Sequence, residues 1–276
     1  MKFYIKDKIY EFENPVVMGI LNVTPDSFSD GGKYNSLDKA LLHVDEMIRN
    51  GANIIDVGGE STRPGAEPVS LEEEIDRVFP VIEKIKKEFD VLVSIDTYKS
   101  KVADICLNQA GADIVNDISG LRFDSNMINV VRDSEVSVIV MHIKGTPKDM
   151  QKEPYYNDVV KELVDYFEER MNYLINNGID KKRIIIDPGI GFGKRLEDNV
   201  NIIKNIKRFK ELELPVLIGL SRKSFLGMIT GEKDAYNREP ETIVANIISF
   251  INGADIIRVH DVKNFIKSIR IVKELL

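Results

Sequence analysis

Short apolar runs recur along the chain, and each of them ends abruptly in a polar or charged residue. At least seven such runs occur, and eight if every one is counted, with amphipathic segments of helix length between them. The residues at their ends are Asn22, Asp56, Asp96, Asn116, Asp117, His142, Asp187, Ser221 and His260. Buried strands alternating with amphipathic helices predict a parallel sheet, in which all the strands end at the same edge. The pattern therefore predicts polar side chains gathered at one end of the sheet.

The fold class that fits this pattern is α/β, with a single (β/α)8 TIM barrel formed by one domain over residues 1–276. The length of 276 residues suits one such barrel. The repeated forms GANIID, GADIVND and GADIIRV indicate repetition of one strand–helix unit. Residues 1–14 predict a short N-terminal β-hairpin across the barrel floor. An open doubly wound sheet is the alternative, but it would concentrate chemistry at one switch point rather than at nearly every strand end.

Helix boundaries can be read at several places. Ser70 and Glu73 have the spacing of a capping box before an amphipathic segment. Pro80 lies inside that segment, and we expect it to kink or split the helix. Pro240 opens another helical segment and Gly253 closes it.

Composition narrows the class of protein. The net charge of -7 argues against a general nucleic-acid binder, whose binding face would be basic. The first residues lack the apolar core of a signal peptide, and no apolar run is long enough for a membrane helix. A single cysteine, Cys106, allows no disulfide within the chain. These observations predict a cytoplasmic protein that acts on small molecules rather than on nucleic acid or membranes.

Three polar residues, Asp96, Asn116 and Asp187, directly follow buried strands. Their carboxylates and amide can bind the N–H donors of a polar heterocycle. Each alone could equally cap a helix or fix a loop. Three at one barrel mouth favour a ligand pocket.

The loops after the strands are rich in Gly, Pro and Ser. NVTPDSFSDGG is long for its position and carries Phe28, which either closes over a flat substrate or packs under its own loop. GGESTRPGA carries Arg63, which suits phosphate oxygens, although such a turn is often only solvated. The glycines of DPGIGFGK would let the backbone approach a planar ligand, with Phe192 offering a ring face. GLSRKSFLG places Lys223 and Ser224 where a helix should begin, which suits an anion or a polar ring.

The last strand ends in RVHDV, with Arg258 and His260 two residues apart. Positions two apart on a strand share a face, so both could hold one anion. His43 lies within the first helix, where a structural or solvated role is expected, and His142 receives no role. The chain offers no compelling Ser-His-Asp arrangement, so covalent catalysis is not indicated.

Eight motifs together resemble the dihydropteroate synthase family, in the family's order and over nearly the whole chain. They are NVTPDSFSDGG, GGESTRPGA, SIDTYKS, NDISG, MHIKGTP, DPGIGFGK, SRKSFLG and RVHDV. The resemblance implies a pterin-binding TIM barrel that joins 6-hydroxymethyl-7,8-dihydropterin diphosphate to p-aminobenzoate, giving 7,8-dihydropteroate and pyrophosphate in folate biosynthesis. It also implies Mg²⁺ carried with the diphosphate, a homodimer, and inhibition by sulfonamides.

The resemblance assigns a role to each matching residue. The pterin would contact Asp96, Asn116, Met141, Asp187, Phe192 and Lys223. The diphosphate would contact Asn22, Arg63, Arg258 and His260, and p-aminobenzoate would contact Phe28, Thr62, Pro64, Lys223 and Ser224. Asn22 would also lie at the Mg²⁺, with Asp30 contributing through its hydration shell. Catalysis would fall to Asp96, Lys223, Arg63, Arg258 and His260.

These roles predict a dissociative substitution. Pyrophosphate leaves toward the cationic groups, Asp96 stabilises the electron-poor pterin methylene, and the neutral arylamine attacks second. Two other functions stay open. One is a methyltetrahydrofolate:corrinoid methyltransferase, which would not need the TPDSFSDGG, STRPG and SRKS segments. The other is a pterin-binding homologue without catalysis, which would have lost loop or anion-site residues.

Overall fold

The strands follow the apolar runs of the sequence. The computed structural model describes residues 1–24 and 33–275, and for 33–36 it describes the backbone alone. The strands are β1 Lys2–Ile5, β2 Lys8–Glu11, β3 Val16–Asn22, β4 Ile54–Gly58, β5 Leu92–Asp96, β6 Ile114–Asp117, β7 Ser137–Met141, β8 Ile184–Asp187, β9 Leu217–Gly219 and β10 Ile256–Val259. Branched aliphatic side chains dominate these segments, as expected for strands covered on both faces.

Strands β3 to β10 close into a barrel. Their order is β8-β7-β6-β5-β4-β3-β10-β9, and every neighbouring pair is parallel. A parallel bridge between Ile186 and Val216, just before β9, joins the two ends of this order. The predicted (β/α)8 barrel is confirmed, and the open doubly wound alternative is wrong because the sheet closes.

Helices follow the strands and form the outer layer. They are α1 Lys33–Arg49, α2 Leu71–Glu88, α3 Ser100–Ile105, α4 Met127–Ser134, α5 Val159–Asn176, α6 Leu196–Lys204, α7 Ile206–Phe209, α8 Ser224–Thr230, α9 Glu239–Ile251 and α10 Val262–Leu275. A π-helical turn, Cys106–Ala110, continues α3. Over the described part of the chain, no helix combines the length and apolarity needed to span a bilayer.

The core lies inside the barrel and between the barrel and its helices. Strands β4 and β7 are buried at every position. On the outside, α2 turns Val78, Ile82 and Ile85 toward the barrel, all fully buried. Each such side chain contributes about 1.5–3 kcal/mol of hydrophobic stabilisation. This rigid scaffold determines where the strand ends present their polar groups.

The N-terminal hairpin is confirmed. Strands β1 and β2 are antiparallel, with Lys2 opposite Glu11 and Ile5 opposite Lys8. The hairpin lies at the amino end of β7, where Ser137 Oγ donates to Tyr4 O at 3.0 Å. It therefore covers the barrel floor on the side away from the strand ends that carry the chemistry.

The helix boundaries largely follow the sequence signals. Ser70 Oγ accepts from Glu73 N at 3.1 Å, whereas the Glu73 carboxylate pairs with Arg77 instead of returning to the cap. Helix α2 is not split at Pro80 but runs through it, because its apolar face packs on the barrel on both sides of the proline. Helix α9 carries Pro240 in its first turn, and Gly253 follows its end at φ 109°.

Candidate active site

Asp56, Asp96 and Arg258 form a charged cluster in the carboxyl halves of β4, β5 and β10, with Asp56 at the middle of β4. Arg258 donates from Nε to Asp56 Oδ2 at 2.6 Å and from Nη2 to Asp96 Oδ2 at 2.8 Å. Asn116 donates from Nδ2 to the same Asp56 oxygen at 3.1 Å. Strand register explains this convergence, because Asp96 pairs with Gly58 on one side and with Asn116 on the other. One guanidinium therefore links the carboxyl halves of three strands.

The cluster has one permanent cation and one carboxyl group that titrates near neutral pH. Burial raises the pKa of Asp96 to about 7, the Asp56 carboxylate adds to the rise, and Arg258 opposes it. Burial acts to lower the pKa of Arg258, but Asp56 and Asp96 outweigh it and raise that pKa above its ordinary value. A buried carboxyl group poised near neutrality is characteristic of sites that carry out chemistry.

Lys223, just before α8, contacts the loop that follows β8. Its Nζ donates to Ile190 O and lies 4.3 Å from the centroid of the Phe192 ring. Burial lowers the pKa of Lys223 to about 7, and the Asp187 carboxylate opposes that shift. Burial raises the pKa of Asp187, while Lys223 opposes the rise. The structure thus brings together Asp187, Phe192 and Lys223, as the sequence predicted for the pterin pocket.

The glycines of DPGIGFGK let the loop lie directly against the end of β7. A Cβ added to Gly189 would lie 2.0 Å from His142 O, and one added to Gly193 would lie 2.5 Å from Lys144 O. Both glycines have positive φ, at 68° and 66°. These two glycines are needed for contact with the protein's own backbone, and the expectation that the glycines of this loop let it approach a planar ligand stays a prediction.

Met141 forms the apolar part of the site. It ends β7 opposite Asp187 in register and is 3% exposed. Its neighbours form a small apolar cluster separate from the main core, comprising Ile118, Met141, Ile143 and Met150, with Tyr98 and Phe192 packed against it. Apolar contacts and carboxylates at one level suit a ligand with a flat ring and polar edges.

His260 follows β10 and pairs with Ser221 after β9. Its Nδ1 lies 2.9 Å from Ser221 Oγ. Burial lowers the pKa of His260 to about 3, and Arg222 and Arg258 lower it further. The ring is therefore neutral at physiological pH, so His260 offers a hydrogen bond rather than a positive charge.

Thr62, Arg63 and Pro64 lie in the loop after β4. Arg63 and Pro64 are exposed, and Thr62 is partly buried. Gly65 N donates to Pro147 O at 3.0 Å, which ties the turn to the loop after β7. Arg63 also contributes to lowering the pKa of His260, which places its charge on the same side of the mouth.

The remaining predicted site residues lie at the rim or outside the described range. Asn22 ends β3 and is partly buried, and it pairs in register with Gly58. Ser224 is the exposed first residue of α8. Phe28 and Asp30 lie outside the described residues, so their predicted roles stay predictions.

Comparison with known proteins identifies the family of this chain. A family model described as "Pterin binding enzyme" matches residues 18–260. The dihydropteroate synthases of Bacillus subtilis and Escherichia coli K12 are 46% and 43% identical to this chain, over 96% and 100% of it and 90% and 97% of those proteins. The chain belongs to the dihydropteroate synthase family. It is therefore a transferase of that family, as the motifs predicted.

Solved structures of dihydropteroate synthases share the whole fold. The Yersinia pestis enzyme in a sulfonamide drug complex superposes with a TM-score of 0.92 at 40% identity, covering 100% of this chain and 98% of that one. The Xanthomonas albilineans enzyme with 4-aminobenzoic acid gives 0.92 at 39% identity, and with 7,8-dihydropteroate 0.90 at 36%, each over 100% of this chain and 98% of that one.

Three charged residues received no role from the sequence, although the structure gives each of them an ion-pair partner at or near the strand ends. Asp56 was recognised only as a strand end, although it is fully buried against Arg258. Glu60 and Lys99 form part of a buried network after β4 and β5. Lys99 Nζ donates to Glu60 Oε2 and Glu74 Oε2, both at 2.6 Å. The sequence offered one signal for this network, a charged residue beside apolar ones. Glu60 ends the segment IIDVGGE, and its partner in the network, Glu74, lies on the buried face of α2.

Proposed function

We propose that this chain joins 6-hydroxymethyl-7,8-dihydropterin diphosphate to p-aminobenzoate, releasing pyrophosphate, by a dissociative substitution. The observation that carries the proposal is the charge arrangement at the mouth. Arg258 bridges Asp56 and Asp96 on one side, and Lys223 lies against Phe192 beside Asp187 on the other. Carboxylates that accept hydrogen bonds, an aromatic face and flanking cations match a pterin ring that carries an anionic leaving group.

In the proposed first step, the bond between the pterin methylene carbon and the diphosphate oxygen breaks, and its electron pair leaves with pyrophosphate. Arg258 and Arg63 supply positive charge on that side, and His260 supplies a hydrogen bond from its neutral ring. The pterin methylene that remains is electron-poor. The Asp96 carboxylate, accepting from a ring nitrogen, stabilises that positive charge.

The donors at the rim fit a metal that arrives with the diphosphate. Asn22 offers one amide oxygen, and within the described ranges no three side chains of His, Cys, Asp and Glu converge as a protein-built metal cage. We propose that Asn22 contributes to holding Mg²⁺, with Asp30 acting through its water shell. Mg²⁺ prefers oxygen ligands, retains several waters and neutralises phosphate charge.

In the second step, the p-aminobenzoate nitrogen forms a bond to the methylene carbon, and its extra proton passes to solvent or to pyrophosphate. A neutral arylamine is already nucleophilic, so no strong protein base is required. We propose that Thr62, Pro64 and Phe28 shape the arylamine pocket, with Lys223 and Ser224 beside it. Sulfonamides would compete for that pocket.

The test of the function is pyrophosphate release from the purified protein. Release should require both substrates and Mg²⁺, and 7,8-dihydropteroate should form in equal amount. Asp96→Asn should keep the fold and lose most turnover, since the neutral amide cannot stabilise the cation. Tight pterin binding without any release would identify a non-catalytic homologue. Methyl transfer from a methylated folate to a corrinoid would instead identify the methyltransferase.

We propose in addition that two copies pair through α9 and its neighbours. Helix α9 buries Thr242, Asn246 and Ser249 but exposes Val244 and Ile248, at 59% and 45%. This is the reverse of the usual amphipathic arrangement. Exposed apolar side chains of the neighbouring α8 and α10 extend the surface: Met228 at 65%, Ile229 at 59%, Ile271 at 62% and Leu275 at 78%. A second copy of this face would bury these groups in a self-complementary contact.

Light scattering after size exclusion tests the dimer. Ile248→Lys should shift the mass toward that of one chain, because a lysine would be buried without a partner. Ile9→Lys on the hairpin strand β2 is the matched control, since Ile9 is 61% exposed and lies at the barrel floor. An Ile248→Lys protein with the mass of the wild type would contradict this interface. The cytoplasmic location expected from the sequence stays a prediction.

A further inference from the structure

The loop at residues 188–193, which carries Phe192, is held by hydrogen bonds to five successive carbonyl groups. The donors to the carbonyls of residues 189 to 193 are, in order, Phe192 N at 3.0 Å, Lys223 Nζ, Gln151 Nε2 at 2.6 Å, Lys194 Nζ at 3.1 Å and Tyr156 OH at 2.8 Å. Only the first of these is a bond within the loop's own turn. Side chains from the surrounding loops therefore determine where Phe192 lies.

Among these donors, Lys194 is nearly inaccessible, with 3% of its surface exposed. Its Nζ lies 3.1 Å from Phe192 O, 3.3 Å from His142 O and 3.0 Å from His142 Nδ1. An ammonium group has three N–H donors, and these three acceptors match them one for one. Burial lowers the pKa of His142 well below its ordinary value, and Lys194 adds to that shift, so the ring is neutral and Nδ1 can accept.

The buried Lys194 ammonium also belongs to the charge environment of Asp187. The charged side chains that face Asp187 are Lys223 from the loop before α8, Arg258 on β10, and Lys194 from its own loop. Burial lowers the pKa of Lys194 well below its ordinary value, and Asp187 provides the largest opposing effect. The Asp187 carboxylate therefore favours the charged form of Lys194, which has the three N–H donors that its acceptors require.

We propose that Lys194, held by His142, is a positioning residue for the pterin. It fixes the ring of Phe192 through its hydrogen bond to the Phe192 carbonyl. This assignment gives His142 a role as the acceptor that orients the lysine. It rests on the proposed function, because the pterin is the ligand that Phe192 and Asp187 would contact.

The experiment compares Lys194→Met with the wild type and with Lys144→Met, a control at an exposed lysine nearby. Lys194→Met should raise the KM for the pterin diphosphate about 10- to 100-fold, as a misplaced binding wall does. The KM for p-aminobenzoate should stay within about threefold, because Lys194 holds the Phe192 loop rather than the proposed arylamine pocket. A general loss of folded enzyme would change neither KM, so the difference between the two KM values separates positioning from stability. Lys144→Met should show none of these changes.

A second pair of variants keeps the test decisive if Lys194→Met does not fold. His142→Asn keeps an acceptor near Nδ1, whereas His142→Leu removes it. The asparagine variant should bind a pterin analogue several-fold more tightly than the leucine variant. Equal binding by the two His142 variants, or a folded Lys194→Met enzyme with an unchanged pterin KM, would overturn the assignment. An inactive wild-type protein in the same assay would instead count against the proposed function.

Discussion

Replacing Asp56 by Asn should shift the pH dependence of pterin binding toward acid. Asp56 is fully buried and shares Arg258 with Asp96. Its negative charge is the largest effect after burial in raising the pKa of Asp96 to about 7. The amide has nearly the same volume and can still accept from Arg258 Nε. The substitution therefore removes a charge with little change in shape.

The direction in which the acidic limb moves depends on which protonation state of Asp96 binds the pterin. In the proposed function an ionised Asp96 accepts from pterin N–H groups, so affinity should fall as pH drops through the pKa of Asp96. Without the Asp56 charge, that pKa falls and the acidic limb moves to lower pH. A change of one pKa unit corresponds to about 1.4 kcal/mol, or up to about tenfold in the ionised fraction on the acidic side. The carboxylates of Asp56 and Asp96 share one guanidinium and repel each other. At an effective dielectric constant of about 20, this repulsion is strong enough to shift the pKa of Asp96 by at least that amount.

The assay is titration calorimetry with a pterin analogue from about pH 5 to about pH 9, for the wild type and Asp56→Asn. The alkaline limb is an internal control. It reports loss of charge from Lys223, whose pKa is set by burial, Asp187, Arg258 and Asp96 rather than by Asp56. The affinity profile should therefore broaden on its acidic side alone. An acidic limb at or above that of the wild type would refute the electrostatic reasoning, even if overall affinity fell.

Three further outcomes are expected. Lys99→Met should lower the free energy of unfolding by about 3–5 kcal/mol in urea titrations, because it leaves the buried Glu74 without its cation. If adding Glu74→Gln to that variant restored none of the lost free energy, this cause would be contradicted. Ser70→Ala should cost about 1 kcal/mol in the same titration through loss of the α2 cap, with turnover unchanged. Gly189→Ala should abolish pterin binding, since its Cβ would lie 2.0 Å from a carbonyl oxygen. Gly65 also has positive φ, but its Cβ would meet open space, so Gly65→Ala should show only a modest loss of stability. An equal loss of stability in the two variants would show that backbone strain rather than the close contact is the cause.

The barrel and much of its rim could be predicted because the evidence for each part is local. An apolar run that ends in Asn116 or Asp187 shows both where the strand stops and which group it presents. Closure of the barrel then brings these ends together whatever their separation along the chain. The same logic placed Lys223 at the start of a helix, where the structure has it immediately before α8.

The pairing of side chains could not be predicted in that way. Arg258 was expected to face an anion, but it lies between two carboxylates, 202 residues from Asp56 and 162 from Asp96. Which carboxylates meet a given guanidinium depends on strand register and on side-chain length inside a closed barrel. His142 received no role for the same reason, because its partner Lys194 follows a different strand. Long-range hydrogen bonds of this kind leave no periodic signal in the sequence.

The charges at the mouth lower the electrostatic cost of binding a ligand there. Asp96 and Lys223 both have pKa values of about 7, one raised and one lowered by burial. The ionised pair and the neutral pair hold the same number of protons, so the similar pKa values of Asp96 and Lys223 mean that the two states differ little in free energy. Asp96 ionisation raises the pKa of Lys223, which favours charging both together. A ligand that donates to Asp96 and accepts from Lys223 therefore selects the charged pair from states that already exist, and it does not have to supply the full cost of burying two new charges.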